Sequence, residues 1–172
     1  MTDIKHFGDA NTSKIFKMAA QCLCDNSYVS LCCAEWLHLQ NFHGVKRVEK
    51  CFSKKYYKYK MKLLFHSLNL FSEKIETKSS DSFATPKDLR GCLEALLEFK
   101  IKSYTDISAM AFELDKSGLS VESDMVKKAD GCLNDEIKCI RRMINDGNLC
   151  EWDYSHLRII DQTRHDKEKK RH

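Results

Sequence analysis

From Asn11 to about Gln40 the apolar positions Ile15, Met18, Cys22, Val29, Cys32, Cys33 and Trp36 recur at the spacing of one helix face. A polar break, NFHG (Asn41–Gly44), ends that run. A second periodic stretch then passes through Val45, Val48, Phe52, Tyr56, Tyr59 and Leu63 to about Phe71. The segment EKIETKSSDSFAT, Glu73–Thr85, has no clear period and is rich in Ser and Thr, so it reads as a connection longer than a tight helix hairpin needs. Thr85 is placed to cap a third helix, with Pro86 at its first position and Asp88 in its first turn. Leu89, Leu93, Leu96, Leu97, Tyr104, Ile107, Met110 and Leu114 mark its core face, and Gly118 marks its end. A fourth helix follows, with Gly147 as its stop, and then a short fifth. The pattern predicts helices near 12–40, 45–72, 86–116, 120–146 and 154–164. Short joins after the first and third helices, with a long join in the middle, make the second and third helices parallel. The expected fold class is all-α, a four-helix bundle with one long crossover.

Composition agrees with one domain, 1–172, with 1–11 as an N-terminal extension and 165–172 as a basic tail. One proline and six glycines favour long helices over a turn-rich sandwich or barrel. The net charge of +4 is mild and uneven, and by itself is weak support for nucleic-acid binding. The start of the chain shows no apolar signal core, and no run of about eighteen apolar residues appears. A cytoplasmic protein with reduced thiols and no membrane partner is the expectation. The nine cysteines do not follow zinc-ligand spacing. Cys22, Cys32, Cys33, Cys51, Cys92 and Cys139 fall on or near core-facing positions, where a thiol acts as a small hydrophobe.

The most charged stretch is FSKKYYKYKMK, Phe52–Lys62, with no acidic residue. Lys54, Lys58 and Lys62 form an i, i+4 ladder on one flank of the apolar face, with Lys55 beside it and Lys60 on the other flank. Such a ladder is either a solvated edge or the lining of an interior. The single Glu-x-x-His, Glu35 to His38, finds no second carboxylate motif on the next helix, so it reads as coincidence. The other histidines are dispersed, and there is no glycine-rich phosphate loop and no recognisable Ser/His/Asp grouping.

Three stretches carry a family likeness. SYVSL (Ser27–Leu31), LNDEIKCIRRMINDGNL (Leu133–Leu149) and SHLRIIDQTR (Ser155–Arg164) resemble segments of the first, fourth and short fifth helices of the ferritin family. The resemblance spans about 11–164 and implies a ferritin-like bundle built into a hollow cage of twenty-four subunits. Carried over position by position, it also implies that the ferroxidase centre is degenerate. The helix-one glutamate falls on Leu23 and its neighbouring tyrosine on Ser30. The Glu-Glu-x-x-His of helix two falls on Lys58, Tyr59 and Lys62. The helix-three glutamate falls on Lys100, or on Lys102 if the register slips. The helix-four glutamine falls on Glu136, the one position still able to bind a cation. The acidic cavity cluster of light chains falls on Lys50, Ser53, Lys54 and Tyr57, and the acidic channel residues fall on Val126 and Ala129.

The resemblance therefore implies a non-enzymatic, wall-forming subunit for iron storage. It would have no catalytic residues and no cofactor of its own, and iron would enter only at the level of the assembled cage. Its partners would be copies of itself or catalytic ferritin subunits. In this reading Lys50, Lys54, Lys58 and Lys62 form a basic stripe turned towards the bundle interior and cavity. Lys58, Lys62 and Lys100 are expected to be neutralised by Glu136, with Glu98 or Asp135 as further partners. The alternative is a cage not concerned with iron that binds nucleic acid or another polyanion, or acts as a chaperone.

Overall fold

Five helices and no strand make up the described residues, which are 10–71, 75–78 and 83–169 of this computed structural model. They are α1 (Ala10–Leu39), α2 (His43–Phe71), α3 (Leu89–Lys116), α4 (Ser120–Leu149) and α5 (Tyr154–Lys169). Most of the expected extension lies outside the described residues, but Ala10 and Asn11 already belong to α1. The expected basic tail begins as a continuation of α5, and its last three residues lie outside the described range.

Side-chain contacts fix the directions of the helices. Ser27 meets Ser53 and Lys60 meets Cys24, so α1 and α2 are antiparallel. Ser108 bonds Asp130 and Ser123 bonds the Ala111 carbonyl, so α3 and α4 are antiparallel too. Between these hairpins, α1 runs against α3 (Asn26 to Lys100, Cys33 to Cys92) and α2 against α4 (Tyr56 to Glu136, His66 to Glu122). Helices α2 and α3 are consequently parallel. None of the helices among the described residues is long and apolar enough to cross a membrane.

Two boundaries differ from the sequence expectation. Helix α3 begins at Leu89, not at Pro86, because Asp88 is the cap: its backbone is extended (φ −148°, ψ 173°) and its carboxylate accepts from the Gly91 N–H at 2.7 Å. Thr85 is exposed and lies before the helix. Helix α4 runs past Gly147 to Leu149. Glu151 (φ 51°) and Trp152 (φ 59°) make the left-handed turn that ends it, and the Trp152 N–H bonds back to the Gly147 carbonyl at 2.8 Å. Gly147 serves packing: a Cβ there would stand 2.7 Å from the Trp152 ring. Gly147→Ala is therefore expected to destabilise the fold by about 1–3 kcal/mol despite alanine's better helix propensity, read as a lower denaturation midpoint in urea. An unchanged or raised midpoint would mean that the ring can move aside freely. Gly118 does end α3, with φ 78°.

The core is two apolar clusters separated by a polar layer. One holds Phe16, Leu23, Leu63, Ile107 and Leu133, and the other holds Leu37, Phe42, Leu93, Ile140 and Leu157. Val126 and Ala129, the positions on which the resemblance places the channel residues, are fully buried in the first cluster. Helix α5 closes one end. Asp161 accepts from the Gly44 and Val45 N–H groups at 2.8 and 2.7 Å, placing a carboxylate at the positive end of α2. A Cβ at Gly44 would meet the Asp161 backbone oxygen at 2.7 Å, so this close approach depends on glycine.

No disulfide joins any of the nine cysteines. The expected burial holds for Cys33 and Cys92, is only partial at Cys22, Cys32 and Cys139, and fails at Cys51, which is exposed. Cys51 sits on the solvent face of α2 next to Lys50, a hundred degrees of helix away from Phe52.

Candidate functional site

Where the four long helices meet, the polar layer is built from one residue or two per helix. Asn26 and Ser30 come from α1, Glu49 and Tyr56 from α2, Lys100 from α3 and Glu136 from α4, all buried. Lys100 Nζ lies 3.0 Å from Glu136 Oε2, and neither side chain is exposed at all. The same ammonium donates to Ser30 Oγ at 2.7 Å and sits 4.6 Å from the centre of the Tyr56 ring. Ser30 donates to Glu136 Oε1 at 2.9 Å, and the Tyr56 hydroxyl donates a short bond to Glu136 Oε2. Glu136 thus receives three donors from three different helices. Burial, followed by the neighbouring Glu136 charge, pushes the Tyr56 hydroxyl far above its usual range, so it stays a donor.

Glu49 completes the layer differently. It is wholly buried, and among the described residues no donor reaches either carboxylate oxygen, the Glu136 carboxylate being its polar neighbour. Burial, then the charge of Glu136, holds its carboxyl well above the usual 4.5, with Lys100 acting in the opposite direction. The centre therefore combines one ammonium with two carboxyl groups, and the one at Glu49 holds its proton above the usual range. Asn26 Oδ1 is also buried with no partner among the described residues.

Of the positions singled out from the sequence, Ser30, Lys100 and Glu136 are brought together. Leu23 is an apolar core residue, and Tyr59 is half-buried against the same cluster. Lys50, Lys54, Lys58 and Lys62 are all exposed on α2, so the expectation that Lys58 and Lys62 reach Glu136 from within the bundle is wrong. The α2 residue beside Glu136 is Tyr56, two positions before Lys58, and the flank angle of the ladder carries its flexible stems out to water. Glu98 and Asp135 are exposed and take no part in the centre. Ser53 is buried against Ser27 while Tyr57 is exposed. Glu35 and His38 are both exposed at the end of α1.

Sequence reading missed Glu49, the only acidic residue on α2, because the cations that flank it in sequence mark it as a solvated position. Among the described residues no group of three or more His, Cys, Asp or Glu side chains is arranged to hold a metal ion. The chemistry this centre performs is internal: it neutralises a buried cation and ties all four long helices to one point. No family model matches the chain, and no curated protein matches it.

Proposed function

We propose that the chain is a wall-forming subunit of a ferritin-like cage, serving iron storage beside catalytic subunits and contributing no ferroxidase chemistry of its own. The observation that carries this reading is the Lys100–Glu136 pair at 3.0 Å, in the middle of the helices. An oxidation centre would need carboxylates free to take ferrous ions at that place. Here the central carboxylate is saturated by Ser30, Tyr56 and Lys100, and a fixed ammonium repels a cation by roughly 1–4 kcal/mol per charge pair. The antiparallel hairpins, the parallel α2 and α3 and the short α5 are compatible with the one-crossover bundle of ferritin-like proteins.

The deciding experiment joins native mass spectrometry of the purified particle to aerobic addition of ferrous iron. A shell of twenty-four subunits, alone or mixed with catalytic ferritin chains, is expected. Iron oxidation by the pure chain should be no faster than the buffer blank. A monomer at micromolar concentration would overturn the cage. Oxidation faster than the blank and abolished by Glu136→Gln would overturn the non-catalytic role.

A second reading, a cage that holds a polyanion, rests on the solvent face of α2. Arg47, Lys50, Lys54, Lys55, Lys58 and Lys62 are exposed there, and the sole carboxylate of the helix, Glu49, is buried beneath them. Successive i, i+4 lysines stand about 6 Å apart along the axis, and exposed Tyr57 lies beside them. Binding of a short single-stranded oligonucleotide should weaken steeply with salt. Changing Lys50, Lys54, Lys58 and Lys62 to Gln should lower affinity about tenfold or more and flatten that salt slope. Salt-independent binding, or none, would remove this reading.

A further inference from the structure

Cys33 on α1 and Cys92 on α3 are both buried, and their sulfurs are 3.5 Å apart. They belong to different hairpins, 59 positions apart in sequence, with the crossover between them. One further observation gives the contact a route from outside. A cavity of about 390 Å³ opens beneath the end of the crossover, and Cys92 is among its lining residues, with Phe83, Pro86, Asp88 and Leu96. Cys33 does not line it. Reaching one thiol from a cavity while the other waits behind it is the arrangement of an attacking and a resolving cysteine.

We propose that Cys92 and Cys33 form a peroxide-sensitive dithiol site, in which a small hydroperoxide entering by the cavity oxidises Cys92 and Cys33 then closes a disulfide between the two hairpins. In the first step the Cys92 sulfur attacks one peroxide oxygen. The O–O bond breaks, Cys92 becomes a sulfenic acid, and hydrogen peroxide leaves one water that carries the thiol proton. In the second step the Cys33 sulfur attacks the Cys92 sulfur, the S–O bond breaks, the S–S bond forms, and a second water leaves with the Cys33 proton. The peroxide gains the two electrons that the two thiols lose. Hydrogen bonding to Cys92, and then burial, hold the Cys33 thiol well above its usual range, so Cys33 rests as a thiol and its attack depends on the sulfenic acid being held in contact with it. The cross-link would tie α1 to α3 across the long crossover loop. This inference stands apart from the iron and polyanion readings, and either could fail without affecting it.

The test is peptide mapping of the whole folded chain after brief exposure to hydrogen peroxide, with thiols then blocked in denaturant and no reductant added. A Cys33–Cys92 cross-linked peptide should be the dominant disulfide, formed faster than any pair containing the exposed Cys51. Thermal midpoint should rise by about 5–10 °C on oxidation and return on reduction. In Cys33→Ser the sulfenic acid on Cys92 should persist and be captured by dimedone, whereas Cys92→Ser should leave Cys33 a free thiol. If wild-type Cys33 and Cys92 stay reduced while Cys51 oxidises, or if pairing among the nine cysteines is random, the proposal is wrong. That comparison requires no variant to fold.

Discussion

Glu136→Gln is expected to lower the thermal midpoint of the chain by roughly 10 °C. The substitution keeps shape and removes the charge, leaving the Lys100 ammonium fully buried with only Glu49, whose carboxyl is held above its usual range, beside it. Breaking one side of a buried pair costs about 3–5 kcal/mol, because the surviving charge keeps its desolvation penalty and loses its compensation. In a chain of this size each kcal/mol moves the midpoint by about 2–4 °C. Lys100→Met alone should also destabilise, since it leaves Glu136 with only the neutral donors Ser30 and Tyr56. The double variant, Lys100→Met with Glu136→Gln, should recover much of the loss, because no unpaired charge then remains. That non-additivity separates an ion pair from two unrelated packing sites. A Glu136→Gln midpoint within a degree or two of wild type would show that Lys100 reaches water or that Glu49 ionises in place of Glu136.

The all-helical fold was legible because its signals are local. A 3.6-residue period over several turns, scarce proline and a left-handed glycine at 118 each act within a few residues. Boundaries were less legible where two local signals competed. Thr85-Pro86 and Asp88 both announce a start, and Asp88 wins because it directly precedes the apolar face at Leu89 and reaches the Gly91 N–H. Gly147 looked like a stop, but the ring of Trp152 fills the space its missing side chain leaves, a contact made only once the turn at 151–152 has formed. The centre was legible in part for a similar reason. Lys100 and Glu136 could be named as partners because the family resemblance put both in the middle of the bundle, where an ammonium demands a carboxylate. The lysines of α2 could not be placed, because a residue on the flank of a helix turns in or out according to the neighbouring helices. Glu49 illustrates the converse: a carboxylate surrounded in sequence by Lys46, Arg47 and Lys50 looks solvated, yet the helix angle that exposes Lys50 buries it.

Glu49→Gln is expected to stabilise the chain at neutral pH and to flatten its dependence on pH. Glutamine is close in shape to a protonated glutamate, so the two proteins should be nearly equally stable at about pH 4.5, the ordinary value for this group. Above that pH the unfolded chain gives up the Glu49 proton freely. The folded chain holds it, because ionisation would place a second buried negative charge near Glu136, Cys33 and Cys92, with Lys100 as the one cation facing them. The folded state then binds more protons than the unfolded state, so stability falls as pH rises. The stabilising proton is fully effective below the unfolded value, and its contribution is lost as pH climbs through the raised folded value. Within that window the wild type should lose about 1.4 kcal/mol per pH unit relative to Glu49→Gln, and above it the difference should level off. Other carboxylates titrate alike in both proteins and cancel in the difference. The measurement is urea denaturation of both chains at steps from pH 4.5 to 8.5. Parallel curves would mean that Glu49 ionises normally and has found water or a cation. A wild type gaining on the variant as pH rises would mean that its carboxylate is stabilised in the fold, and that the centre is open to a positively charged ligand.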